Sequence, residues 1–269
     1  MLIRKIFRRK KPRIGLVLSG GSARGLAHIG VLKELEKNGI TPDIIAGNSM
    51  GGIIGALYAK NLDIKSVEDY INNFKLKDFI KFFDISITGG GIIKGENFKE
   101  FIDDYLQGAS FEDLKIPLLV NATDLDEGKE IVFDKGKVSD AIRSTISLPG
   151  ILKPVNHKRK TLLDGTLINP LPINLLKKYK LDIIICSNVL SRFHDKKAKG
   201  INDILRRSFV IMSDEIIRLR LKDHKYDFLI EPDISKFEFY DFLKRRDIIK
   251  AGEKATRKQI EDILKKIKP

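Results

Sequence analysis

The chain has 269 residues, 42% of them hydrophobic and 32% charged, with one cysteine, four histidines and a net charge of +14. This balance excludes a disordered chain, the lone Cys186 excludes an internal disulfide, and no apolar run reaches the roughly 18–20 residues of a membrane span. The basic start also lacks the apolar core of a secretory signal, so a reducing, cytoplasmic setting is expected.

The first element is an arm. Residues 1–13 carry seven basic residues and no acid, interspersed with Leu2, Ile3, Ile6 and Phe7. Such an arm is either a solvated tail or a peripheral contact with an anionic membrane at its inner face. Nucleic acid would be attracted by the charge alone, with no motif to read it.

From residue 14 to residue 269 the pattern predicts one domain, with the chemistry-bearing motifs in 14–188 and a helical part in 200–269. An apolar strand, Ile14–Leu18, runs into Ser19-Gly-Gly-Ser-Ala-Arg-Gly25 and then a helix, Gly25–Lys37. Backbone N–H groups of Gly20, Gly21 and Ser22 at a helix start suit a phosphate or an oxyanion. A dinucleotide fingerprint is not met, because Ser22 stands at its middle glycine. The next strand, Ile44–Gly47, leads into Gly47-Asn-Ser-Met-Gly51 and a helix, Gly51–Lys60. That G-x-S-x-G turn between strand and helix is an elbow that exposes the Ser49 hydroxyl at the carboxyl edge of a sheet.

Helices are predicted over Ile64–Phe74 and Glu96–Tyr105. Between them, Ile80–Gly95 is irregular, and Phe79, Phe82, Phe83, Ile85, Ile87, Ile92 and Ile93 suit an acyl groove, a membrane-touching lip or simple core packing. Strands Ile116–Ala122 and Ile131–Phe133 read as a hairpin whose acidic turn, Asp124–Lys129, lacks the spacing of a calcium loop. After a helix, Val138–Ser144, a strand Thr161–Leu163 ends at Asp164-Gly165, which places a carboxylate at a sheet edge. Strands Asp182–Ser187 and Phe228–Glu231 follow, with Cys186 as a buried strand thiol. Helices Ile201–Leu221 and Asp247–Lys266 complete the chain, and Phe237, Phe239, Tyr240 and Phe242 read as core. The alternation predicts an α/β fold with a mostly parallel central sheet covered by helices. Four scattered histidines and one cysteine offer no metal-ligand spacing.

The glycine loop with Arg24, the elbow around Ser49 and Asp164-Gly165, in that order, resemble the patatin-like phospholipases. The run Ala141-Ile-Arg-Ser-Thr-Ile-Ser-Leu-Pro-Gly150 is similar to the family's segment before its Asp-Gly strand. The resemblance covers residues 13–188 well, with two departures: Ser22 replaces a glycine, and Thr166 follows Asp-Gly where Gly or Ala is usual. It implies a single three-layer domain, Ser49 as nucleophile and Asp164 as the only side-chain base. It further implies that Gly20, Gly21 and Ser22 hold the oxyanion. Arg24 would support the loop, with Gly25, Gly47, Gly51 and Gly165 shaping loop and elbow. The implied substrate is an acyl lipid or phospholipid, with no cofactor and no metal. Two alternatives stay open. One is a Ser-Asp-His triad using His194 or His224, which follow Asp164, whereas His28 sits on a helix and His157 in a basic turn. The other is a non-hydrolytic membrane-binding protein of the same fold.

Overall fold

The computed structural model describes residues 11–73, 93–190 and 200–268. Most of the arm, nearly all of the Ile80–Gly95 stretch and His194 lie outside the described residues. The elements follow the chain as β1 (Ile14–Leu18), α1 (Ala27–Lys37), β2 (Ile44–Asn48), α2 (Met50–Asn61), α3 (Ile64–Asn72) and α4 (Glu96–Leu106). Next come β3 (Leu118–Asp124), β4 (Lys129–Phe133), α5 (Val138–Thr145), β5 (Val155–His157), β6 (Lys160–Asp164) and β7 (Ile183–Ser187). The last are α6 (Gly200–Asp223), β8 (Phe228–Ile230), α7 (Arg245–Arg257) and α8 (Ile260–Ile267).

The strands form one sheet of eight, ordered β5-β6-β3-β2-β1-β7-β8, with β4 also on β3. Pairs β3–β2, β2–β1, β1–β7 and β7–β8 are parallel, and β3–β4, β3–β6 and β5–β6 are antiparallel. This is the α/β architecture the sequence predicts. Because successive strand residues point to opposite faces, the apolar strands feed two cores. Leu16, Leu18, Ile45, Val120 and Ile185 pack with the helices α1, α2, α5 and α7 on one face. On the other, Val17, Ala46, Leu119 and Cys186 pack with Leu171–Leu176 and with Ile217 of α6. Cys186 is buried, as a strand thiol should be, and burial holds it well above the usual thiol range. Among the described residues no helix is long and apolar enough to cross a membrane.

Strand β3 places the functional edge. Its residues 120–124 pair with β4 along one side. On the opposite side Asn121 faces Asn48, the last residue of β2, and Ala122 faces Asp164, the last residue of β6. Since β2 is parallel to β3 and β6 antiparallel, the two strands meet head to head. Their carboxyl ends converge on one point. Thus Ser49, which follows β2, and Asp164 become neighbours although they are far apart in the chain.

Element ends shift by one or two residues from the sequence reading, and three larger differences stand beside them. Strand β5 occupies what reads as a basic turn: Lys158 and Arg159 adopt φ of 48° and 65° and close a two-residue hairpin without the glycine or asparagine that signals one. The predicted Asp247–Lys266 helix is two helices, α7 and α8, broken at Lys258–Gln259. The first helix is preceded by a 3-10 turn over Ser22–Leu26, so the α-helix begins at Ala27.

Helix α1 is held against α7 at very short range. A side chain at Gly30 would lie 2.0 Å from the Ile249 carbonyl oxygen, and one at Gly252 would lie 2.0 Å from that of Ala27. Overpacking a tight contact typically costs about 1–3 kcal/mol. Gly252→Val should reach the upper end, because the obstruction is backbone. Urea unfolding checks this: the midpoint should fall substantially at an unchanged slope.

Candidate active site

The serine turn has the strained geometry its sequence suggests. Ser49 adopts φ 48° and ψ −119° between β2 and α2, a backbone region that L side chains avoid. Its N–H donates to the Thr145 hydroxyl at 2.9 Å, which ties the turn to the end of α5. The crowding around the turn explains the glycines. A side chain at Gly47 would meet the Gly51 carbonyl oxygen at 2.6 Å, and one at Gly51 would meet that of Leu18 at 2.3 Å. A side chain at Gly25 would strike Met50 and one at Gly165 would strike Asn48, each at 2.5 Å or less.

Asp164 is buried beside this turn. Desolvation pushes its carboxyl above the usual carboxylate range, while Thr166, Ser49 and Asn48 favour the ionised form by hydrogen bonding. The Thr166 N–H donates to Oδ1 at 2.8 Å, and the Asn48 amide approaches the same oxygen at 3.5 Å. The Asp164 backbone is held as well: its carbonyl accepts from the Thr123 hydroxyl at 2.9 Å, and its N–H donates to the Ser147 carbonyl at 3.0 Å. Ser147 belongs to the Ala141–Gly150 run and is gripped by Arg143, whose Nη1 donates to its hydroxyl at 2.8 Å.

The glycine loop lies alongside. A side chain on Gly20 would come within 2.4 Å of Asn48 Oδ1 and 2.7 Å of Thr166 Oγ1, so loop and elbow touch directly. The three backbone donors expected there are not equivalent. The Gly20 N–H already donates to the Pro170 carbonyl at 3.1 Å. Those of Gly21 and Ser22 take no hydrogen-bond acceptor among the described residues. Ser22, at φ 50°, adopts the conformation a glycine would take more readily, and its hydroxyl compensates by donating to the Phe239 carbonyl at 2.8 Å.

Arg24 is wholly buried beneath this loop. Its Nε donates to the Phe237 carbonyl at 2.7 Å, and its guanidinium sits 4.8 Å from the centre of the Phe239 ring. Burial lowers its pKa to about 10, which leaves it charged at neutral pH. The aromatic run thus does more than fill the core. Phe237 and Phe239 clasp the loop from the C-terminal part of the chain, whereas Tyr240 is 70% exposed.

None of the described histidines joins Asp164. His28 Nε2 lies 2.9 Å from the Ser19 carbonyl oxygen, so it carries the proton, and Nδ1 accepts from the Ser187 hydroxyl at 2.9 Å. Burial lowers its pKa to about 4, and the neutral ring pins the residue before the glycine loop. His157 stands on β5 with its ring edge-on to Phe133, and His224 follows the end of α6, where burial and Lys177 disfavour its charged form. Sequence reading missed Asn48, Asn121 and Thr145. Asn48 occupies the variable position of the serine motif, and the other two gain meaning only when β3 and α5 are brought to the elbow.

The family model for patatin-like phospholipases matches residues 16–177. An uncharacterized NTE family protein of Mycobacterium tuberculosis is 33% identical over 174 residues, covering 65% of this chain and 48% of that protein. Lysophospholipase NTE1 of Candida albicans is 32% identical over 203 residues, covering 74% of this chain and 15% of that protein. The chain therefore spans half or less of the length of these relatives. Among solved structures, VipD from Legionella pneumophila superposes with a TM-score of 0.65 at 12% identity, over 94% of this chain and 67% of that one. Human GIVD cytosolic phospholipase A2 does so with a TM-score of 0.51 at 11% identity, over 99% of this chain and 61% of that one. Fold, motif order and the span of the match together make this chain a member of the patatin-like phospholipase family.

Proposed function

We propose that the chain is a serine acyl-hydrolase that cleaves acyl esters of lipids through a Ser49–Asp164 dyad and an acyl-enzyme intermediate. The observation that carries this reading is the convergence of a strained serine turn and a buried carboxylate at two meeting strand ends, with no histidine between them among the described residues. Asp164 takes the Ser49 proton as Oγ attacks the ester carbonyl and the carbonyl electrons move to oxygen. Collapse of that intermediate expels the alcohol, which leaves with the proton from Asp164, and water then releases the acyl group by the reverse sequence. Two backbone donors, Gly21 and Ser22, are the groups available to the developing oxyanion, each contributing roughly 3 kcal/mol if well aimed. Gly20 acts through position rather than as a donor. Acyl lipids are the substrate class favoured by the family and by a lysophospholipase among the relatives.

Ser49→Ala and Asp164→Asn should each reduce hydrolysis of a short-chain nitrophenyl ester by at least roughly 10²–10⁴, the loss typical of a removed general base or more. Both variants should retain a native melting transition. Near-normal turnover by either would end the proposal.

Burial gives Asp164 a second signature. Catalysis needs it ionised, so kcat/KM should fall on the acid side with a midpoint above the unperturbed value of about 4. The same shift bears on stability. A carboxyl whose folded pKa is raised binds its proton more tightly in the native state, so stability declines as pH rises from the unfolded pKa through the folded one. Asp164→Asn removes that term. Its melting temperature at pH 8 should equal or exceed the parent's, and the difference should shrink as the pH is lowered through that window.

Replacing His157 or His224 by glutamine should leave ester turnover within about tenfold of the parent, about 1.4 kcal/mol of barrier. A thousandfold loss in a folded variant, or in His194→Gln, would identify a Ser-Asp-His triad.

A further inference from the structure

The hydrogen-bonded chain behind Asp164 has a direction, and that direction is set at one end. Glu130 of β4 presents carboxylate oxygens that accept from three amides: Asn121 Nδ2 at 3.0 Å, Asn169 Nδ2 at 2.6 Å and Asn174 Nδ2 at 3.0 Å. Asn121 Nδ2 also donates to the Asn169 carbonyl at 2.9 Å, so both of its hydrogens are used and its Oδ1 must point the other way. That oxygen accepts from Asn48 Nδ2 at 3.1 Å. Asn48 Oδ1 is therefore turned toward Thr166, whose hydroxyl donates to it at 2.6 Å. Every link is a donor facing an acceptor. The result is that the second hydrogen of Asn48 Nδ2 faces Asp164 Oδ1. Reversing any one amide would set oxygen against oxygen at Glu130 or at the Asp164 carboxylate.

We infer that Asn48 and Thr166, oriented through Asn121 by Glu130, form a positioning chain that keeps donors on one oxygen of Asp164 and leaves the other for the Ser49 proton. Thr166 acts twice, through its N–H on Asp164 Oδ1 and through its hydroxyl on Asn48. Both partners sit where the family pattern is free or different: Asn48 at the variable elbow position, Thr166 in place of the usual Gly or Ala. The Thr166 departure is thus coupled to the residue at the free elbow position through one hydrogen bond. Both side chains are buried, so the bond is shielded from water. At 3.5 Å the Asn48–Asp164 contact is long. Its influence is that of an oriented dipole, which sets the scale of the expected effect at about half a pH unit.

This inference rests on the dyad reading, and the test separates the two. The pH dependence of kcat/KM for a soluble ester is measured for the parent, Asn48→Ala, Thr166→Ala, Thr166→Ser and Asp164→Asn, each checked for a native melting transition. Removing the Asn48 donor, or the Thr166 hydroxyl that orients it, destabilises the ionised carboxylate, so the acid limb should move to higher pH by about half a unit in Asn48→Ala and in Thr166→Ala. On the acid side that is about a threefold loss of kcat/KM, with little change on the plateau. Thr166→Ser, which keeps the hydroxyl, should return the limb to the parental position. A merely structural role would lower activity at all pH values without moving the limb. Parental acid limbs in both alanine variants would overturn the positioning chain while leaving the dyad intact. Full activity in Asp164→Asn would overturn the dyad and this inference with it. Should Asn48→Ala fail to fold, the Thr166 pair decides the question alone.

Discussion

The fold depends on one edge of β3, where β2 and β6 meet end to end. A strand edge offers a fixed ladder of backbone partners, and here adjacent residues of that ladder hold Asn48 and Asp164. The separation of the serine turn from the carboxylate is therefore set by strand register, which a one-residue slip would destroy completely. The surrounding elements secure that register. Thr123 and Ser147 grip the Asp164 backbone, Thr145 grips the Ser49 N–H, and β4 closes the opposite side of β3. Such an arrangement fixes the two residues through backbone rather than flexible loops, as the proposed catalytic pair requires.

Electrostatics at this point work against folding and for chemistry. A buried carboxylate is costly, and desolvation raises the proton affinity of Asp164 although Thr166, Ser49 and Asn48 hydrogen-bond its ionised form, a direction that suits the base proposed here. Ser49 in its unfavourable backbone conformation adds a second local cost. The broad apolar cores on both sheet faces supply the stability that tolerates both. The clasp of Phe237 and Phe239 on the glycine loop extends the same logic, because buried Arg24 takes carbonyl and ring contacts from the far end of the chain. The C-terminal part is thus structurally bound to the site although it carries none of the recognisable motifs.

Much of this was legible in the residues. Apolar runs marked β1, β2 and β7, and the Gly-rich spacing around Ser49 and before Gly25 marked the two turns. Other features have no local signature. The β5–β6 turn uses Lys158 and Arg159 at positive φ, which no propensity rule favours, and the break between α7 and α8 falls in a sequence of good helix formers. Asn48, Asn121, Glu130 and Thr145 matter through partners distant in sequence. A strand asparagine looks the same whether it faces solvent or anchors a carboxylate, so only the topology assigns its role. Of the three candidate loop donors, the Gly20 N–H is engaged by the Pro170 carbonyl, which comes from a segment no loop pattern would point to.

Ser49 is proposed as a nucleophile activated by Asp164. Reaction of the purified protein with a fluorophosphonate probe, followed by peptide mapping, tests it most directly, since the probe reports an activated serine whatever the natural lipid. Activation by Asp164 predicts a single adduct on Ser49 in the parent and a greatly slowed adduct in folded Asp164→Asn. An adduct on another residue, or equally fast labelling of Ser49 without Asp164, would contradict it.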